Sequence, residues 1–398
     1  MMVAHSSRVL LLGAMAALAG AAPLAAQGRT AVPNAEREAF FDTIQAPNWL
    51  GTDIAHTSIK TQRGGTCWSF ATVSWLESEV LRSNEALRTA LGAQRQELDL
   101  SEYYVVYWGW VEKAREFATR KGQGFHDRGP GVPLGDGGLS HDVTRIVRDY
   151  GIVPESDFVQ PENSGQMTGE VLAVMAKHRD ANDWDAERMV ADVRAVLDRH
   201  LKSPPATITV AGRTITPQQY ARDVLQLKLD DYLEVTSYES IPFWSRGEVD
   251  VPDNWWDYKG YYNVPLETYI GIMNYALDHG YSVAVDTDWG DMGAQWNGAG
   301  LAVIHPSLVA GKVIDQDVRE NEFKIGRTTD DHLVHAVDHR VLDGHDWYLI
   351  KNSHGVGSGR RGYVWIRDDW FALRVLGVMV NKDAIPQDVL SKLMRTDS

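Results

Sequence analysis

Gln62-Arg63-Gly64-Gly65-Thr66-Cys67-Trp68-Ser69-Phe70 holds the only cysteine of the 398-residue chain, at the point where glycines give way to a helical pattern. From Trp68 to Arg82 there is no Gly or Pro, and Val73, Leu76 and Val80 recur at the spacing of one buried helix face. Cys67 is therefore expected in a first helical turn. Unpaired N–H groups and the positive end of the helix dipole favour an anion there, and can bring a thiol pKa down from about 8.5 to roughly 3.5–7.5. A lone cysteine is otherwise a small buried hydrophobe. Gln62 tips the balance towards chemistry: across the Gly64-Gly65 turn its amide and the Cys67 backbone N–H would converge beside the sulfur, as the two donors of an oxyanion hole.

Before this stretch, Arg8, the apolar run Val9 to Ala19 and the small residues Leu24-Ala25-Ala26 have the form of a signal peptide over residues 1–26. A retained membrane anchor is the other reading of the same residues. Export places the chain where disulfides form, yet Cys67 has no partner within it. No later run is apolar and long enough to cross a membrane, so none is expected in the mature chain. A net charge of -15 without a Lys/Arg cluster argues against nucleic acid as a partner. With 44% hydrophobic residues, 14 Trp and 15 Tyr, the chain can bury a large core without covalent staples.

After the cysteine the pattern is helical. Ser101 is expected to cap a buried helix beginning at Glu102, and His141 to Arg148 form another that ends at Gly151. Helical spacing then runs from about Thr168 to His200, until Pro204-Pro205 breaks the chain. Ile208 to Val210 and Arg213 to Ile215 flank Ala211-Gly212 as a hairpin, and Pro217 opens a short helix. Phe243 to Tyr262 has no period and is expected as ordered loop. The last third is strand-like at Ser282–Asp286, Asp346–Lys351, Gly362–Ile366 and Val375–Val380. Helices first and strands later predict an α+β protein, a helical part facing a β part across a cleft.

A thiolate needs a base that can later protonate a leaving amine, and histidine is the usual one. His332, His335 and His339 lie together in Asp331 to His339. A strand alternating about His335 puts it on one face with Leu333 and Val337, and leaves His332 on the other. A helix would instead join His335 and His339 as metal ligands. No glutamate stands between them as in zinc-peptidase motifs, so no metal or other cofactor is expected. Asn352, just past a strand, would accept a hydrogen bond from His335 and orient it.

With Gln62, Gly65, Cys67-Trp68, His335-Ala336 and Asn352-Ser353 in that order, the chain resembles the papain-like cysteine peptidases. Ile350-Lys351-Asn352-Ser353-His354-Gly355 is similar to their I-K-N-S-W-G run. Within them it most resembles the bleomycin hydrolase and aminopeptidase C branch, through Leu100 to Tyr103, Asp136-Gly137-Gly138, Tyr150 to Pro154, Ile215 to Tyr220, and Gly362 to Val364 with Asp369-Trp370-Phe371.

The resemblance implies a papain-like fold with an antiparallel β part. The peptidase domain would cover 27–398, with a helical part over about 51–270, an insertion over about 160–265 and a β-rich part over about 271–398. It implies a peptidase acting on peptides or proteins, and the leader over residues 1–26 adds that it is exported, periplasmic or secreted. Cys67 would be nucleophile, His335 base and acid, Asn352 its orienter and Gln62 the oxyanion donor. Gly137 and Gly138 would pair with substrate, with Gly65 and Trp68 beside them. A peptide binder without turnover and an amine acyltransferase use the same residues, and a homo-oligomer stays open. This chain differs from the branch in three ways: His354 replaces the tryptophan that shields the Asn–His bond, a leader precedes the domain, and the C-terminal arm after Pro386 is short.

Overall fold

The computed structural model describes residues 32–48, 50–94, 97–126, 131–290 and 300–395. The leader expected over 1–26 lies outside them. A helix at Cys67–Ser83 runs through the middle of the molecule, every residue from Cys67 to Val80 buried. That exceeds the single buried face expected from Val73, Leu76 and Val80. The other faces carry polar groups that find partners: Ser69 Oγ donates to Glu102 O (2.9 Å), Thr72 Oγ1 to Ser140 Oγ (3.1 Å) and Trp75 Nε1 to Ser282 O (2.9 Å). Such pairing removes most of the cost of burying them.

Around it pack the Glu102–Thr119 helix, started by Ser101 accepting from the Tyr104 N–H at 3.1 Å, and the Ser140–Tyr150 helix. The run expected as one helix from Thr168 to His200 is two, Ser164–Asp180 and Ala186–Leu201. Asn182 takes a left-handed φ of 53° between them, and the Asp185 carboxylate caps the second through the Arg188 N–H. Capping chemistry inside the helical spacing decided the break.

The hairpin pairs β1 (Ile208–Val210) with β2 (Arg213–Ile215) as expected. The remaining strands are β3 (Tyr232–Thr236), β4 (Arg246–Gly247), β5 (Tyr261–Asn263), β6 (Val283–Thr287), β7 (Leu301–Ala302), β8 (His332–Leu342), β9 (His345–Lys351), β10 (Tyr363–Arg367) and β11 (Val375–Asn381). They form one sheet in the order β4-β5-β3-β11-β6-β8-β9-β10-β7, antiparallel except for β3 with β5 and β10 with β7. Three of these strands come from 232–263, a stretch expected as insertion and loop. Edge pairing gives their backbone groups partners that sequence periodicity does not reveal.

The sheet separates two cores. Ala284, Leu333 and Met379 face the helical layer, whereas Val283, Val285, Val334 and Val378 face a second core under the Leu266–Asp278 helix. The last helix, Gln387–Met394, inserts Leu393 into that second core, on the far side of the sheet from the Cys67 helix.

Gly151 closes the Ser140–Tyr150 helix at φ +78°, and a Cβ there would lie 2.2 Å from the Pro217 carbonyl carbon. Gly151→Ala is expected to cost about 2 kcal/mol or more, from left-handed strain plus backbone collision. Denaturant unfolding of the two proteins measures it.

Candidate active site

The turn before Cys67 is built against one carboxylate. Gly64 sits at φ +74°, and a Cβ on Gly64 or Gly65 would come within 2.7 Å or 2.5 Å of an Asp136 carboxylate oxygen. Asp136 Oδ2 accepts the Gly65 N–H at 2.8 Å, and its backbone carbonyl accepts Trp68 Nε1–H at 2.8 Å. The glycine pair is needed because Asp136 occupies the space side chains would take. Arg63 O, bonded by Tyr103 Oη (2.7 Å) and Ser164 Oγ (2.9 Å), holds the turn from the other side.

Gln62 is oriented by Ser353. Its backbone N–H donates to Ser353 O (2.8 Å), and its Oε1 accepts Ser353 Oγ–H (2.5 Å). With the oxygen so held, the NH₂ group faces the turn, where Nε2 donates to Gly64 O at 2.9 Å. An amide carries a second N–H beyond that one.

His335, expected as the base, is elsewhere. It is wholly buried, and its Nδ1 meets Ser74 Oγ at 2.9 Å. Lys351 Nζ donates to the same hydroxyl at 2.7 Å and to Thr57 Oγ1 at 2.9 Å. Ser74 Oγ thus stands between Lys351 Nζ and His335 Nδ1, and His335 Nε2 is buried with no hydrogen-bond partner. His335 is a structural member of a buried polar network.

Asn352 meets His332 instead. Its Oδ1 lies 2.8 Å from His332 Nε2 and also accepts the Ser353 N–H at 2.7 Å. An accepting oxygen requires the proton on Nε2, so Nδ1 is the imidazole's free basic nitrogen. The reason is register. β8 and β9 pair with His335 opposite Lys351, and the same antiparallel register continued puts residue 354 opposite 332 and Asn352 on the diagonal. His354 indeed stacks on the His332 ring (centroids 4.6 Å apart, 22° between planes), and its Nδ1 lies 3.3 Å from Asn352 Nδ2. Trp289 lies on His332 at 5.6 Å. The missed signal was position: His332 opens its strand and Asn352 follows the end of the next, so the two strand ends meet.

His332 reaches Cys67 through its neighbour. The backbone of Leu333, the residue after His332, lies against the Cys67 sulfur and acts to lower its pKa. Burial outweighs it and pushes the thiol up to about 12, with Asp253, Asp331 and Asp286 acting in the same direction. The lowering expected from the helix start is thus reversed. Burial also draws His332 down to about 3, helped by His354 and opposed by the Asn352 bond. Burial thus favours the neutral form of each group.

The residues expected to line the substrate divide. Trp68 is 1% exposed and packs against Gly109 and Gly138, so it supports the wall from within. Gly65 has given its N–H to Asp136. Gly138 is buried against Trp68 and Asp142, and Gly137 is half-buried with its carbonyl taken by Lys113 Nζ and the Asp253 carboxylate against its Cα. Sequence reasoning passed over Asp136, Ser353 and His332. His339 pairs with Asp278 (2.8 Å) and Asp346 (3.0 Å), and no three His, Cys, Asp or Glu side chains among the described residues converge as a metal site.

Residues 207–397 match the Peptidase C1-like family. Aminopeptidase W of Lactobacillus delbrueckii subsp. lactis is 23% identical over 83% of this chain and 82% of its own length. Bleomycin hydrolase of Gallus gallus is 20% identical over 89% and 87%. The crystal structure of PepW from Lactobacillus rhamnosis HN001 superposes with a TM-score of 0.69 at 19% identity, covering 90% of this chain and 87% of that one. The papain-like fold and the branch expected from the motifs are both borne out.

Both buried histidines stay neutral where an unfolded chain would take protons. His335 is held well below the ordinary histidine range by burial, Lys351 and His56. Its contribution to stability is therefore complete above about pH 6.5 and is lost as pH falls below it, at up to about 1.4 kcal/mol per pH unit. His335→Gln is expected to flatten the pH dependence of unfolding free energy between pH 7 and 5 relative to the parent, whatever its effect at pH 7. Urea titrations across that range read the difference in slope.

Proposed function

We propose that this papain-like cysteine peptidase, of the bleomycin hydrolase and aminopeptidase C branch, hydrolyses peptide bonds through a thioester on Cys67 with His332 as base and acid. His332 Nδ1 takes the thiol proton as the sulfur attacks the substrate carbonyl carbon. The resulting oxyanion is met by the Cys67 backbone N–H and the Gln62 amide, donors fixed before the reaction. As the C–N bond breaks, His332 returns the proton to the leaving amine. Water then attacks the thioester with His332 again as base, releasing the acid and the free thiol. Asn352 holds the reactive tautomer, and His354 covers the ring.

The observation that carries this reading is the 2.8 Å His332–Asn352 bond at the strand end whose next residue, Leu333, lies against the Cys67 sulfur. A substrate that closes the site to water would strengthen the attraction between a Cys67 thiolate and a His332 imidazolium. We further propose export, from Arg8, the following apolar run and the Leu24-Ala25-Ala26 segment.

Peptide turnover and mass-spectrometric trapping of an acyl adduct test the assignment. Cys67→Ala should abolish both, and His332→Ala should lower turnover by about 10²–10⁴-fold. His335→Ala should retain the adduct, its defect lying in stability. Equal loss in the two histidine variants at matched folded fraction would refute the choice of His332. For export, fractionation of cells producing the full chain should place a shortened protein outside the cytoplasm, and an uncleaved cytoplasmic chain would count against the leader.

A further inference from the structure

Three carboxylates act on Cys67, Asp253 before β5, Asp286 on β6 and Asp331 just before β8, and Asp330 joins them by accepting the Asp253 N–H. Asp286 faces Leu333 across the β6–β8 pair, the residue whose backbone lies against the sulfur. Alternation along β6 turns Asp286 to the side of Ala284, towards the helical layer. Asp253 lies against Gly137 on the opposite wall.

Two of the four accept from donors, and a third has contacts of its own. The Asp253 N–H and Thr329 Oγ1 donate to Asp330 (2.7 and 3.1 Å), the Trp289 N–H donates to Asp331 (2.5 Å), and Asp253 has polar contacts of its own. Asp286 differs. It is 6% exposed, and its Oδ1 is buried without a hydrogen-bond partner. After burial, the strongest influences on it are the other carboxylates, Asp330, Asp253 and Asp331, all disfavouring its charge. Burial and these neighbours favour the neutral acid, and a cation meeting its oxygen would favour the carboxylate instead.

A metal ion does not fit, because no three of these groups converge closely enough among the described residues. The chemistry that matches them is an organic cation, since an ammonium or guanidinium spreads several N–H donors over carboxylates that do not converge on one point. The acids also grade from exposed Asp331 through half-buried Asp253 to buried Asp286. Asp286 is thus the innermost of the set.

We propose that Asp253, Asp286 and Asp330 form a subsite for a positively charged group of the peptide substrate, with Asp286 at its floor. The proposal rests on the reading of Cys67 as nucleophile only for its purpose, and binding tests it without turnover. The cation is an alkylammonium or guanidinium, carried either by the substrate's free N-terminus or by a lysine or arginine side chain. Its charge would also offset the acids that oppose the Cys67 thiolate, coupling ionisation of the nucleophile to the correct substrate.

Calorimetric binding to full-length Cys67→Ala protein tests this with short peptides that differ in one charge: lysine against norleucine, and free against acetylated N-terminus. One charged form is expected to bind roughly tenfold or more tightly than its neutral counterpart. Adding Asp286→Asn should bring that ratio to within about twofold, and Asp253→Asn serves if the first variant does not fold. Dependence on the free N-terminus identifies the α-ammonium as the cation, and dependence on lysine identifies the side chain. Equal affinity for charged and neutral peptides overturns the proposal. Failure of the parent to form an acyl adduct, with charge selectivity intact, overturns the catalytic reading alone.

Discussion

The antiparallel register between β8 and β9 is the constraint on which the candidate site depends. With His335 opposite Lys351, the side chains of Asn352 and His354 fall beside His332 at the strand ends, and no other histidine of β8 can take that place. A slip of one residue would turn every side chain of β9 to the other face. The register is protected by what each face buries: Ala336 and Ile350 enter the second core, whereas His335 and Lys351 share Ser74 on the central helix. The network around His335 thus has no chemical part in the reaction proposed, yet it locks the geometry that does.

A second tie joins the cleft's walls. Asp136 receives the Gly65 N–H through its carboxylate and the Trp68 indole through its carbonyl, binding the loop that carries Gly137 and Gly138 to the first turn of the Cys67 helix. Glycines 64 and 65 are explained by this carboxylate more than by freedom of the backbone. Ser353 performs a similar service on the other side, holding the oxygen of Gln62 so that its N–H groups are the ones presented to the turn. Positions next to the reacting groups therefore fix the orientation of those groups.

The electrostatics set this site apart from the expectation for a cysteine at a helix start. Burial and nearby aspartates oppose the thiolate, and burial opposes the imidazolium. Such surroundings favour the protonated sulfur, the form less open to oxidation. His354 fits the same logic. It provides the flat ring that covers His332 and adds a hydrogen bond to Asn352 that an apolar cover lacks.

Local chemistry made much of this legible. The Cys67 helix, the Ser101 cap, the Gly151 stop, the hairpin and the four long strands follow from spacing and capping, which act over a few residues. The residue types of the site were visible too: one cysteine, a glutamine before a glycine turn, a cluster of histidines and a distant Asn-Ser pair. The sequence alone determined which functional groups were available and in what order along the chain. Which histidine meets Asn352, which short strands complete the sheet, and that three aspartates act on the sulfur were decided by tertiary structure. Strand register and long-range charge depend on how segments hundreds of residues apart are placed, and no periodicity within one segment encodes that.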